Sequence, residues 1–122
     1  MNKTAITIID LSTLAAGAST TGADCTALDF SRTIALFFEL EATFDASATD
    51  GLTISWFCSY NGTDWDTAEW LTDTIAVSPG NSVRVPLNPI NPSAMYLRAV
   101  IQNNDSTYAV TNLKLIATQT DL

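Results

Sequence analysis

Two stretches of this chain alternate apolar and polar residues so strictly that a helix cannot accommodate either. Ile34, Leu36, Phe38, Leu40, Ala42 and Phe44 share one parity, while Phe37, Glu39, Glu41 and Thr43 share the other. Leu52, Ile54, Trp56, Cys58 and Tyr60 repeat the pattern against Thr53, Ser55 and Ser59. Wound at 3.6 residues per turn, the first run would place glutamates inside its apolar stripe. In a strand, successive side chains point to opposite faces, and the pattern resolves. Both runs therefore read as half-buried strands, with Trp56 on the core side.

Further strands read at about residues 4–10, 13–18, 24–30, 66–77, 81–87, 94–103 and 107–118. Ala16-Gly17-Ala18, Asp45 to Gly51, Asn61-Gly62-Thr63-Asp64, Ser78-Pro79-Gly80 and Asn103-Asn104-Asp105 separate them. Asn-Gly and Pro-Gly pairs supply positive φ or a preset turn, which marks hairpins and corners. Asn88-Pro89-Ile90-Asn91-Pro92 lacks two ladder donors and reads as an extended crossover outside the sheets. Only Leu11 to Ala18 is arguable as a short helical turn. Eight or nine short antiparallel strands without helices, in a chain of 122 residues, predict an all-β single-domain sandwich, jelly-roll-like, spanning 1–122. A closed barrel is the alternative. Residues 1–20 read as an N-terminal arm or as the first strands.

Composition narrows the function. Thirteen Asp and Glu stand against five Lys and Arg, for a net charge of −8. Lys3, Arg32, Arg84, Arg98 and Lys114 are scattered singly, so the clustered cations that neutralise phosphates are missing. A nucleic acid or an anionic membrane is not the expected partner. Met1 to Ile6 shows no continuous apolar core before a cleavage site, so no secretory signal is read there. No stretch approaches the ~20 apolar residues needed to span a bilayer. Cys25 and Cys58 either form one bridge or, as a chain made in the cytoplasm favours, stay reduced in the core.

With no histidine in the chain, His-dependent nucleophile systems and the usual zinc sites are excluded. No glycine spacing matches a phosphate loop. No catalytic residue, metal or cofactor is expected. Glu39 and Glu41 lie ~7 Å apart along one strand face, within the range of an inverting glycosidase pair. The plainer reading is a solvent face or an oligomer contact. Asp64 and Asp66 offer hard oxygens for calcium, but Gly62 precedes the acids where an EF-hand glycine follows them. Turn-forming side chains account for them adequately.

Aromatic residues are the remaining candidates for contact. Trp65 and Trp70 flank the hairpin, where they can present a sugar platform or a protein hot spot, or Trp65 can instead cap one end of the sandwich. Phe37 is out of phase with its strand's inward set, which suggests a second buried face or an interface. Trp65, Trp70, Phe37, Asp64 and Asp66 are thus the candidate partner-contact residues.

Ser59 to Thr67, following Leu52-Thr53-Ile54-Ser55-Trp56, resembles a hairpin common in small β-sandwich structural proteins of tailed bacteriophages. Leu11 to Thr20 is similar to their N-terminal arm, as are Leu28-Asp29-Phe30-Ser31 before a long strand and Tyr96 to Ile101 as a late strand. The likeness is one of turn chemistry and strand order, without a catalytic or ligand motif. In size the chain is nearest to head decoration (cement) proteins. The resemblance implies a virion protein made in the bacterial cytoplasm that binds the major capsid protein, as a homo-oligomer with a trimer favoured. A carbohydrate- or receptor-binding module, or a tail, connector or baseplate component, are the alternatives.

Overall fold

The computed structural model describes residues 1–122. Eight strands follow in order: β1 (Asn2–Leu14), β2 (Leu28–Asp29), β3 (Thr33–Phe44), β4 (Leu52–Ser59), β5 (Leu71–Ile75), β6 (Ser82–Pro86), β7 (Tyr96–Asn103) and β8 (Val110–Asp121). A single 3₁₀ turn, Gly22–Asp24, lies between β1 and β2. They form two antiparallel sheets with the orders β1-β8-β3-β6 and β2-β7-β4-β5. Of the consecutive connections, only β4–β5 stays within one sheet; every other crosses to the opposite layer. That winding is a jelly roll, the double-sheet architecture that buries one face of each layer. The sandwich expected from the alternation is therefore present, and the closed barrel is not.

Both alternating runs supply the core. Phe38 and Leu40 from one sheet, and Ile54, Trp56, Leu97 and Ile101 from the other, are fully buried. Phe38 and Trp56 meet across the layers with ring centroids 4.5 Å apart and planes tilted by 52°. The indole N–H of Trp56 leaves the apolar region by donating to Asp73 at 2.8 Å, so its burial strands no polar group.

Bulges account for the departures from simple alternation. A register shift between Thr33 and Ala35 in the β3–β8 pairing reverses the phase. Ile34, expected inward, is consequently exposed, and Thr33 is buried, bonded to Asp121 at 2.8 Å. A second shift between Thr7 and Ile9 lets consecutive Ile8 and Ile9 both face the core. A third, between Glu41 and Thr43, coincides with Asn112 at φ 51°, a left-handed conformation asparagine tolerates.

Other boundaries shift for local reasons. Residues 4–10 and 13–18, read as two strands, form one strand that ends at Leu14; Ala15 to Ala18 make a turn, so no helical turn forms at Leu11. Residues 24–30 shrink to the two-residue β2, and 66–77 to β5. Tyr60 leaves the inward set and is exposed because β4 ends at Ser59. Ile90 of the crossover and Leu87 just before it are buried and belong to the core. Cys25 and Cys58 are both free thiols.

Candidate functional site

The β4–β5 connection is shaped by side chain to backbone bonds. Buried Ser59 accepts from the Gly62 N–H at 2.8 Å, and Asn61 Oδ1 accepts from the N–H groups of Thr63 and Asp64 at 2.9 and 2.8 Å. Gly62 holds φ at +79°, with the Tyr96 ring 3.4 Å from where a Cβ would stand. These are turn bonds of the kind expected from the Asn-Gly pair. Asp64 is occupied in the same way, accepting from Asn61 Nδ2 at 2.7 Å.

The two tryptophans have different surroundings. Trp65 is half-buried, with the Arg98 guanidinium carbon 4.3 Å from its ring centroid. Behind that guanidinium lies Gly22, where any Cβ would stand 2.5 Å from Arg98 Nη1. Trp70, 39% exposed, instead lines an open depression of about 410 Å³ with Asp66, Glu69, Cys58 and Ser93. The structure thus joins Trp70 with Asp66, and gives Trp65 and Asp64 other partners. Burial, and secondarily the Asp66 carboxylate, raise the Cys58 thiol above its ordinary pKa. Arg98, Glu69 and Ser93 were not legible in the sequence, because two of them arrive from β7 and from the segment leading into it.

Phe37 lies on the far side of the molecule. It is 42% exposed on the outer face of β1-β8-β3-β6. Register aligns side chains there in rows. Thr13, Thr111, Thr43 and Ser82 form one, and Asp10, Lys114, Glu41 and Arg84 the next. The third is Thr7, Ile116, Glu39 and Pro86; Ala5, Thr118 and Phe37 follow. The charged row alternates in sign across all four strands. Glu41 binds Arg84 at 2.7 Å. Glu39 therefore sits on a charge-matched sheet face, and Glu41, with Thr43, Ser82, Arg84 and Asn112, lines an open depression of about 390 Å³ on that face.

At the end of the sandwich where β7 turns into β8, Asn103 and Asp105 tie three turns together. The Asn103 amide donates to the carbonyls of Leu14, Ala15 and Tyr108 at 3.3, 3.3 and 3.0 Å. Asp105 accepts from the backbone N–H groups of Thr49, Thr107 and Tyr108, which hold its carboxyl far below the usual carboxylate range. Both residues are buried and satisfied, so they brace loops and do not await a ligand.

No family model and no curated protein matches this sequence. Solved structures do. A chain in the structure of infectious bursal disease virus, Gx strain, is similar with a TM-score of 0.60 at 16% identity, over 98% of this chain and 32% of that one. The infectious bursal disease virus VP2 subviral particle gives 0.59 at 13%, over 98% and 33%. The T13 particle of the same virus gives 0.53 at 15%, over 96% and 30%. This chain thus spans about a third of the length of the viral chains it matches. At such identities the likeness establishes a shared fold: a jelly roll found in chains of virus particles.

Proposed function

We propose that this chain is a virion structural protein, a decoration protein that binds the outside of a tailed-phage head and stabilises it. The observation that carries the reading is the overall fold, this jelly roll being similar to chains of virus particles at TM-scores of 0.60 and 0.59. The likeness of the Ser59–Thr67 hairpin points to a tailed-phage particle, and the size of the chain to decoration in particular. A cement protein needs a rigid body and contact surfaces, and contacts weak individually gain strength when several are engaged together. The major capsid protein is the proposed partner. The outer edge of β1 offers backbone groups for strand addition, except where the Ile8 carbonyl accepts from Thr26 at 2.8 Å. Loop contacts around Trp70 and Asp66 would supplement it.

Mixing the purified chain with undecorated heads tests the proposal. Saturable binding that raises the disruption temperature of the shell is the expected result. Retention by tails or baseplates alone would move the chain elsewhere in the virion, and retention by no particle component would end the reading. A second reading is favoured by the depression that joins Trp70 with Asp66 and Glu69: a flat aromatic beside carboxylates is a sugar-binding chemistry. A silent glycan array, with tryptophan fluorescence unmoved by sugars, would dispose of it.

A further inference from the structure

We infer that the bare face of the β1-β8-β3-β6 sheet is a self-pairing surface, through which two copies of this chain associate about a two-fold axis. The axis runs along the strands, midway between β8 and β3. Turning a second copy over about it reverses the strand order but keeps height along the strands. β1 then faces β6 of the other copy, and β8 faces β3.

Three observations support a second copy as the occupant. First, the charged row is complementary to its own reverse. Asp10 meets Arg84 of the other copy and Lys114 meets its Glu41, each twice by symmetry. The hydroxyl row meets itself, Ile116 lies over the methylene stem of Glu39, and exposed Phe37 falls over Thr118. Second, this face concentrates the scarce cations. Lys3, Arg84 and Lys114 are three of the five basic residues, and they stand there with Asp10, Glu39 and Glu41. The face is neutral, so the whole net charge of −8 lies elsewhere and opposes approach of two copies by other surfaces. Third, an exposed phenylalanine in a row bounded by charges is the composition of a small interface.

Strands about 4.8 Å apart with rows about 6.8 Å apart cover on the order of 500 Å² per copy. That is below the ~800 Å² of standard interfaces and describes a reversible dimer. A trimer closes through unlike patches, whereas a self-complementary row is isologous, so the two-fold replaces the three-fold that the phage likeness implies. The pairing does not rest on the virion reading, and capsid binding can fail while it stands.

Sedimentation equilibrium over a wide concentration range tests it, with variants chosen to separate pairing within a sheet from pairing between copies. The expected parent is a dimer in equilibrium with monomer, weakened by salt. Lys114→Glu alone, or Glu41→Lys alone, places like charges opposite each other twice and should raise the dimer dissociation constant on the order of a hundred-fold. The combined exchange restores opposition between copies while creating like neighbours within each sheet. It should therefore recover the dimer while lowering the melting temperature. Phe37→Thr, at an exposed position that leaves folding intact, should weaken the dimer about ten-fold. A monomer at every concentration, a trimer, a dimer indifferent to the single reversals, or an exchange that fails to restore it would each overturn the proposal.

Discussion

The two outer faces of this sandwich are built on opposite plans. One is a bare sheet whose three longest strands, β1, β3 and β8, each run 12 or 13 residues, and it presents side chains in straight rows. The other has shorter strands, and over part of it lie the β4–β5 loop, packed on Tyr96 and Arg98, and the Gly22 turn. Rows require an uninterrupted surface and favour a flat, repetitive partner. Loops interrupt rows and line the depression at Trp70, whereas the depression on the row-bearing face is lined mostly by strand residues, Glu41, Thr43, Ser82 and Arg84 among them. The lesson is that Phe37 and Trp70, grouped together as contact candidates on sequence grounds, belong to surfaces with different physics.

The largest expected effect breaks both faces together. Trp56→Ala removes the central contact with Phe38 and should cost about 3–5 kcal/mol. For a chain this size that lowers Tm by roughly 15 °C or more in thermal unfolding followed by circular dichroism. Hydrogen exchange should rise in both sheets; an effect confined to one would mean that the layers fold separately.

Next come the loop ends. Asn103→Ala strands three carbonyls and should cost about 2 kcal/mol in urea unfolding. The same end confers acid sensitivity through Asp105. Because its folded pKa is depressed, its contribution is fully present above the ordinary carboxylate pKa of about 3.9 and is lost as pH falls through the folded value. Asp105→Asn should therefore be less stable at neutral pH and show a flatter decline in stability below pH ~4. An unchanged acid limb would remove Asp105 from this role.

Smaller effects separate the faces. Gly22→Ala should push the Arg98 guanidinium off Trp65, costing about 0.5–1 kcal/mol and increasing acrylamide quenching of tryptophan emission. The bare face should not respond. Smallest of all, Glu41→Gln weakens its pair with Arg84, whose side chain is 70% exposed, so a loss of no more than about 0.5 kcal/mol is expected. A larger loss would mean that the charged row stabilises the sheet itself.

Much of the fold was legible because alternation is read locally. Leu36 to Phe44, Leu52 to Trp56 and the core of β7 needed no knowledge of their neighbours. The candidate surfaces were less so. Phe37 announced itself by its parity, Asp66 as a carboxylate beside Asp64 and Trp70 as an aromatic at the hairpin, but that Asp66 and Trp70 line one depression shows only in the structure. Lys114 and Arg84, however, flank Glu41 only after strands far apart in sequence have paired.

Parity along a strand follows from backbone sterics at each residue, so the chain alone decides which side chains share a face until a bulge intervenes. Whether Ile34 turns out or Ile8 and Ile9 both turn in depends on where a partner strand slips by one residue. Which rows form across a sheet depends on its order. Those are properties of pairing between distant segments, settled by the packing of the whole core, and only the assembled sandwich decides them.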